Sequence, residues 1–148
     1  MKKLLLIVIC IITLSLLGCS KNTHPPLPTL QLTYNDQQIP ITQGGYHWTY
    51  QTGLLTSESV VADAASPSQI ALKMGGTMIT PSANISLNFS TIPTDVKIYS
   101  WVAESSTLYS TSTDSFGLPS EEGTYIFEII GTWPEGSVSY TTKLIVKP

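Results

Sequence analysis

The amino-acid sequence predicts an all-β domain in which two sheets of short strands pack face to face as a sandwich. From Leu30 onward, apolar and polar residues alternate with the period of two that is typical of strands. Turn residues, mainly Gly, Pro, Asn, Asp and Ser, interrupt the alternation every ~8–12 residues. Many short alternating segments at this spacing are typical of a β-sandwich.

The chain begins with the pattern of an export signal. Lys2 and Lys3 precede an apolar run of 14 residues, Leu4–Leu17, which only Thr13 and Ser15 interrupt. A helix that crosses a bilayer needs about 20 apolar residues. The run therefore fits the hydrophobic region of a cleaved signal peptide better than a transmembrane helix.

The end of this run predicts a lipid anchor. Leu16-Leu17-Gly18-Cys19 resembles a lipobox, in which a small residue precedes the cleaved bond and the cysteine thiol carries diacylglycerol. We therefore predict a lipoprotein signal peptide over residues 1–18 and lipidation of Cys19. Because two or more acyl chains hold a protein on a membrane stably, this predicts lasting attachment to the outer face of the cell membrane.

The residues after the predicted anchor have the composition of a linker. Residues 19–28 contain three prolines and no periodicity, so we interpret them as a lipid-anchored tether with partly extended, polyproline-like conformation. The remaining residues, 29–148, have the length of one domain.

One short helix interrupts the strands in the first half of the domain. Ser66 suits the N-cap of a helix and Pro67 its first turn. Gly75-Gly76 should end it, so we predict a helix over about residues 67–74, with Ile70 packing on a sheet. The strands predicted before it are Leu30–Tyr34, Gln38–Thr42, Tyr46–Tyr50 and Ser59–Ala62.

The clearest strands lie at the C-terminal end. Residues 123–133 are apolar on both faces of the predicted strand, which is typical of a central strand. Trp133-Pro134-Glu135-Gly136 predicts a turn, and the alternation resumes over Val138–Val146. The strands predicted between the helix and this hairpin are Thr77–Thr80, Ile85–Phe89, Val96–Ala103, Thr107–Ser110 and Ser115–Leu118.

Two aromatic residues make the predicted sandwich immunoglobulin-like. Glu122-Gly123-Thr124-Tyr125 opens the penultimate strand and resembles a tyrosine corner, in which the tyrosine hydroxyl bonds back to the preceding loop. Trp48, on an early strand, is the candidate for the tryptophan that packs in the core of such domains.

Composition excludes several classes of function. After Cys19 the chain has no further cysteine, so the domain can form neither a disulfide nor a thiolate metal site. It has no arginine, and from Cys19 onward five lysines face ten acidic residues, a net charge of −5. Nucleic-acid binding needs a basic surface, so we predict no nucleic-acid partner.

Five short motifs follow one another along the mature chain: Gly45-Tyr46-His47-Trp48, Val61-Ala62-Asp63, Ser66-Pro67, Gly123-Thr124-Tyr125-Ile126-Phe127 and Trp133-Pro134-Glu135-Gly136. The series resembles small, uncharacterised surface lipoproteins of Gram-positive, Bacillus-type bacteria with an immunoglobulin-like domain. The resemblance spans about the whole mature chain and brings no biochemical activity with it.

The resemblance also concerns a disulfide. In that family the first motif is Tyr-Cys-Trp and the second is Cys-Ala-Asp, and His47 and Val61 stand at the two cysteine positions here. If the family cysteines are bonded to each other, both halves of the bond are missing from this chain. A bond closing a loop of this size contributes about 3 kcal/mol in the chain-entropy model.

Aromatic residues are the candidates for a binding surface. Tyr99 and Trp101 share one face of a strand whose other face is already apolar, so we expect them to be the best exposed. Tyr46 and His47 complete the candidate set. The competing interpretation is that these rings form the core or cross-strand pairs, as most strand aromatics do.

The sequence shows no complete catalytic set, no metal site and no cofactor motif, so we predict no catalytic residue, metal or cofactor and no enzymatic activity. His47, with His24, makes only two imidazoles, too few for zinc. The leading hypothesis is a monomeric, non-enzymatic surface protein that binds a cell-wall polymer or another protein. The alternatives are an inhibitor of an extracellular hydrolase and a small hydrolase that uses His47.

The lipid anchor is directly testable with Cys19→Ala. We expect this variant to lose its acyl chains because no other residue of the lipobox offers a thiol. The measurements are intact-mass spectrometry and partition into a detergent phase. Cys10→Ala, which changes only the signal peptide, should remain acylated. An unmodified Cys19 in the wild-type protein would contradict the prediction.

Overall fold

The structure is a computed structural model that describes residues 24–148, and it confirms the all-β sandwich. The predicted signal peptide and Cys19 lie outside the described residues. Two sheets face each other, and almost all their strand pairs are antiparallel. The strands are β1 (Leu30–Tyr34), β2 (Gln37–Ile39), β3 (Thr42–Gln51), β4 (Ser57–Ala62), β5 (Thr77–Ile79), β6 (Asn84–Phe89), β7 (Asp95–Val102), β8 (Ser105–Ser110), β9 (Ser115–Gly117), β10 (Gly123–Trp133) and β11 (Gly136–Val146).

The strand order is that of an immunoglobulin-like sandwich. The smaller sheet has the order β2-β1-β6-β9, and the larger has the order β4-β3-β11-β10-β7-β8. Strands β1, β6 and β9 occupy the positions of strands A, B and E of that fold. Strands β7, β8, β10 and β11 occupy those of C, C′, F and G.

A segment inserted between β1 and β6 enlarges this framework. β3 pairs antiparallel with the first half of β11, and β5 pairs parallel with its last three residues, so both use the same edge of β11. Where the chain passes from the smaller to the larger sheet, Thr142 Oγ1 donates a hydrogen bond to the Pro40 carbonyl over 3.0 Å. The insertion thereby widens the larger sheet and carries the helix to its outer face.

The core contains a cluster of aromatic rings at one end of the sandwich. Trp48 is buried and lies 5.6 Å from Trp133, whose ring Phe89 meets edge-on at 5.8 Å. Trp48 therefore packs in the core as predicted, although it stands on the inserted β3. Gly131 leaves the space for this cluster, because a Cβ there would lie 2.4 Å from the Trp133 ring.

The predicted tyrosine corner is present. The Tyr125 hydroxyl donates to the Glu121 carbonyl over 3.1 Å, four residues earlier in the chain. This bond ties the loop before β10 to the strand itself, and the Tyr125 ring stacks on Phe127 at 6.2 Å.

The β10–β11 hairpin turns at Pro134-Glu135, as the sequence predicts. Gly136 starts β11 with a φ of +155°, and a Cβ on it would lie 1.9 Å from the His47 carbonyl oxygen. Only glycine has no Cβ, so this residue lets β3 approach the hairpin closely.

The helix α1 spans Pro67–Leu72 and is shorter than the predicted 67–74. Ser66 is its N-cap and accepts a hydrogen bond from the Gln69 backbone over 3.4 Å. The amides of Lys73 and Met74 bond to carbonyls three residues back. This tighter, 3₁₀-type geometry ends the α-helix early.

Folded contacts begin before residue 29, the predicted start of the domain. Pro28 is buried and its carbonyl accepts a hydrogen bond from the buried Tyr140 hydroxyl, while Leu27 packs against the core. Part of the segment interpreted as a tether therefore lies against the domain.

Burial raises the pKa of Tyr140 above its ordinary value, which predicts a loss of stability at alkaline pH. The unfolded chain ionises this phenol near pH 10 while the folded chain keeps its proton. The contribution of the protonated Tyr140 to the free energy of unfolding is therefore complete below about pH 10 and declines as the pH rises further. Tyr140→Phe should lower the free energy of unfolding by about 1 kcal/mol at pH 7, through the lost hydrogen bond.

The same variant should lose less stability than the wild type between pH 10 and 11. Urea unfolding midpoints across this range provide the measurement. Tyr50 and Tyr109, whose pKa values burial also raises, are common to both proteins and cancel in the comparison. An equal decrease in the urea unfolding midpoints of the two proteins would contradict the assignment to Tyr140.

Candidate functional site

The outer face of the larger sheet carries a cleft of about 410 Å³. Its floor consists of side chains from the two central strands, and its wall is the connection from β4 to α1, residues 62–67. β3 closes the remaining side. The four floor residues are Glu128, Ile130, Ser137 and Ser139.

Glu128 is the charged group on this floor, and neighbouring strands orient it from both sides. Its Oε2 accepts a hydrogen bond from Trp101 Nε1 on β7 over 3.0 Å. Its Oε1 accepts one from Ser139 Oγ on β11 over 2.6 Å. Because β10 lies between β7 and β11, one side chain on its outer face can reach partners on both strands. The carboxylate is thus held in place while it borders the cleft.

A second polar group lies beside Glu128. Thr141 is its cross-strand partner on β11 and is fully buried. Its hydroxyl has no hydrogen-bond partner among residues 24–148. Next to it on the same face, Lys143 Nζ donates to the carbonyls of Ala71 and Met74 over 3.4 and 3.5 Å. Lys143 therefore fastens the C-terminal end of α1 to the sheet.

The two rings predicted to be most exposed, Tyr99 and Trp101, are half-buried. Both lie on the outer face, and Tyr99 stands directly opposite Glu128 in the pairing of β7 with β10. The Trp101 indole is already used in orienting Glu128. Both residues therefore lie on the strand next to the cleft floor, and neither lines the cleft.

Tyr46 and His47, the other two predicted site residues, differ in their surroundings. His47 is exposed and borders the cleft. Tyr46, the preceding residue, also borders it but packs partly against the core. Successive side chains of a strand point to opposite faces, so β3 presents only one of the two to the open side.

His47 and Val61 are directly opposite each other on β3 and β4. Cα atoms of paired antiparallel residues lie about 4.5–5.5 Å apart, which is within the range that a disulfide spans. These are the two positions at which the family resemblance implies cysteines. The geometry is therefore compatible with a bond between them.

A hydrolase that uses His47 would need a nucleophile within hydrogen-bonding distance of the imidazole. Ser137 is its partner across β3 and β11. No hydrogen bond joins the two side chains, and within the described part of the chain no other side chain bonds to His47. This geometry gives the hydrolase interpretation no support.

Sequence reasoning missed Glu128 and Ser139 as site residues. The signal for Glu128 was available, because it is the one charged residue in the otherwise apolar and uncharged segment 123–133. Its role became visible only when β7 and β11 placed Trp101 and Ser139 beside it.

Comparison with protein families, characterised proteins and solved structures found no match to this chain. Among residues 24–148, no helix is both long and apolar enough to span a membrane. The same residues contain no group of three or more His, Cys, Asp or Glu side chains that could hold a metal ion. The chemistry of the cleft is therefore the basis for a functional proposal.

The pairing of His47 with Val61 predicts that cysteines at both positions form a disulfide. The double variant His47→Cys, Val61→Cys closes a loop of 15 residues between them. In the chain-entropy model it should raise the free energy of unfolding by about 3 kcal/mol when oxidised. Urea unfolding with and without reductant measures the gain. His47→Cys alone should show no dependence on reductant, and a double variant that stays reduced in air would contradict the pairing.

Proposed function

We propose that this protein is a lipid-anchored, non-enzymatic surface protein that binds a ligand through the cleft on the larger sheet. The ligand would carry an ammonium group, as a peptide amine or an amine-bearing cell-wall polymer does. Lipid on Cys19 would hold the domain at the outer face of the membrane. The single observation that carries the binding proposal is the oriented carboxylate of Glu128 at the cleft floor.

The anchoring half of the proposal is supported by the N-terminal sequence. The basic start, the apolar run and the Gly18-Cys19 ending are consistent with one another as a lipoprotein signal. A net charge of −5 from Cys19 onward argues against general attraction to anionic lipid. Acyl chains would therefore supply the membrane affinity.

The charge of the cleft supports a cationic ligand. Asp63 and Glu128 both line it, and no lysine of residues 24–148 does. Each Glu128 oxygen accepts one hydrogen bond from the protein, and a carboxylate oxygen has a second lone pair that can accept from a ligand. Hydrogen bonds between charged partners are roughly twice as strong as neutral ones.

The size and walls of the cleft support a small group. Its volume lies within the roughly 300–1,000 Å³ that is typical of ligand pockets. Gly44, Gly45 and Ala65 contribute little side-chain bulk, and Ile70 and Pro67 supply apolar walls. A short aliphatic chain ending in an amine fits this combination of an apolar wall and an acidic floor.

The cleft proposal is testable by titration with the dipeptide Ala-Lys. The probe and its fully acetylated counterpart differ only in their amines. We expect Ala-Lys to shift the NMR resonance of the Trp101 indole N–H in the ¹⁵N-labelled mature protein, because that group bonds to Glu128. Glu128→Gln, which keeps an acceptor oxygen but no charge, should weaken binding by about 10-fold or more, as loss of a charged hydrogen bond does.

Two controls separate the cleft from general charge effects. Glu122→Gln removes one charge from an exposed loop and should leave the affinity unchanged. The acetylated dipeptide should produce no shift. Equal shifts with both dipeptides, or equal affinity in Glu128→Gln and the wild type, would contradict the proposal.

A further inference from the structure

The hairpin that joins β3 to β4 ends in two adjacent leucines that the rest of residues 24–148 leaves uncovered. Leu54 is 99% exposed and Leu55 94%. The loop is closed internally, since the amides of Thr52 and Gly53 donate to the Thr56 carbonyl over 3.0 and 3.2 Å. Its backbone is therefore held in a tight turn from which both leucine side chains project.

This tip protrudes beyond the end of the sandwich. The last backbone contact between β3 and the β10–β11 turn is Thr49 N–H to the Glu135 carbonyl, over 2.8 Å. β3 and β4 continue to pair beyond that point, through Tyr50 with Glu58 and Gln51 with Ser57. Each further residue adds about 3.3 Å, so the leucines stand clear of the rest of the domain.

His24, the first residue that the structure describes, contacts this same hairpin. The His24 ring lies 4.1 Å from the Tyr50 ring, and His24 Nε2 lies 3.7 Å from Glu58 Oε2. Tyr50 and Glu58 are the cross-strand pair near the base of the protruding part. The chain that leads back to Cys19 therefore leaves the domain beside the exposed leucines.

We infer that the hairpin tip inserts Leu54 and Leu55 into the interfacial region of the membrane that holds the Cys19 lipid. This inference rests on the anchoring half of the proposed function. Cys19 and His24 are five residues apart, so the chain between them spans at most about 18 Å. The lipid therefore keeps this end of the domain within that distance of the bilayer surface. The tether gives the hairpin tip a high effective concentration at the membrane surface, so even weak insertion would persist.

The charges near the hairpin tip favour insertion into the apolar part of the membrane interface over binding to anionic headgroups. Residues 48–58 contain no lysine, and the nearby Glu58 and Glu135 are acidic. Ile92, 84% exposed, follows Thr91, which lines a groove shared with Pro25 and Pro26 at this end. Insertion of this kind depends on buried apolar area, so zwitterionic lipid should suffice.

Insertion would also fix the orientation of the domain. β3 runs ten residues from Thr42 to Gln51, about 30 Å. Leu72, 83% exposed, borders a pocket with Thr42 and so lies near the end of β3 that is remote from the hairpin. Leu72 is thus a matched control for Leu55: the same residue type with similar exposure at the opposite end.

The test uses the acylated mature protein reconstituted in phosphatidylcholine vesicles. Leu55→Cys and Leu72→Cys each receive an environment-sensitive fluorophore, because the native Cys19 sulfur is occupied by lipid. The quenchers are brominated acyl chains within the bilayer and iodide in the buffer. We expect bromolipid to quench the label at position 55 several-fold more than the label at 72, and iodide to show the opposite order.

Each other outcome overturns the inference. A label at 55 that iodide quenches as fully as the label at 72 places the tip in water. A label at 55 that neither quencher reaches places it against a second copy or another protein. Equal bromolipid quenching at both positions excludes a fixed orientation. A mature protein without acyl mass removes the anchoring proposal itself, whereas an acylated protein with a water-exposed tip removes only this inference.

Leu54→Ser combined with Leu55→Ser provides a second measurement. With a label at Ile92→Cys, this variant should show at least a several-fold loss of bromolipid quenching relative to the same label in the parent protein. Both positions are highly exposed, so folding should be unaffected. Unchanged quenching would show that the leucines do not hold the domain at the membrane.

Discussion

The rest of the structure depends on the pairing of β11 along both of its edges. One edge bonds to β10 over the full length of the strand, and the other is divided between β3 and β5. Its inner face, from Val138 to Val146, is buried against the smaller sheet. Since side chains alternate between faces, that burial fixes which residues point outward. The outward residues are those that build the cleft floor and hold α1.

The outer face shows how an insertion can add a cleft to a sheet surface. In a plain sandwich this face would be open to solvent. Here the connection from β4 to α1 and α1 itself cover part of it, and Glu128 is half-buried among polar partners from two strands. A half-buried carboxylate requires hydrogen bonds to offset the loss of solvent, and Trp101 and Ser139 supply them. The same bonds orient the group toward the cleft.

The two ends of the domain are chemically different, and the difference matches the proposed anchoring. The end near His24 carries the protruding hairpin with its exposed leucines and the core aromatic cluster behind it. The opposite end carries α1 and the C-terminus of β11. A domain attached by a short chain at the first end has one end near lipid and the other in water. In the proposed anchoring, the cleft on the outer face of the larger sheet would remain accessible from the side.

The sequence by itself determined the all-β class, the helix start at Ser66-Pro67, the turn at Pro134-Glu135 and the Tyr125 corner. These features depend on local patterns of alternation, capping and turn chemistry that few residues encode. The tertiary structure alone decided that β3 and β5 share one edge of β11. It also decided that residues 24–28 lie against the domain and that Glu128 meets Trp101 and Ser139. Such contacts join residues 11 to 112 positions apart in the chain. Their register is set by the packing of whole sheets, so no local pattern carries the information.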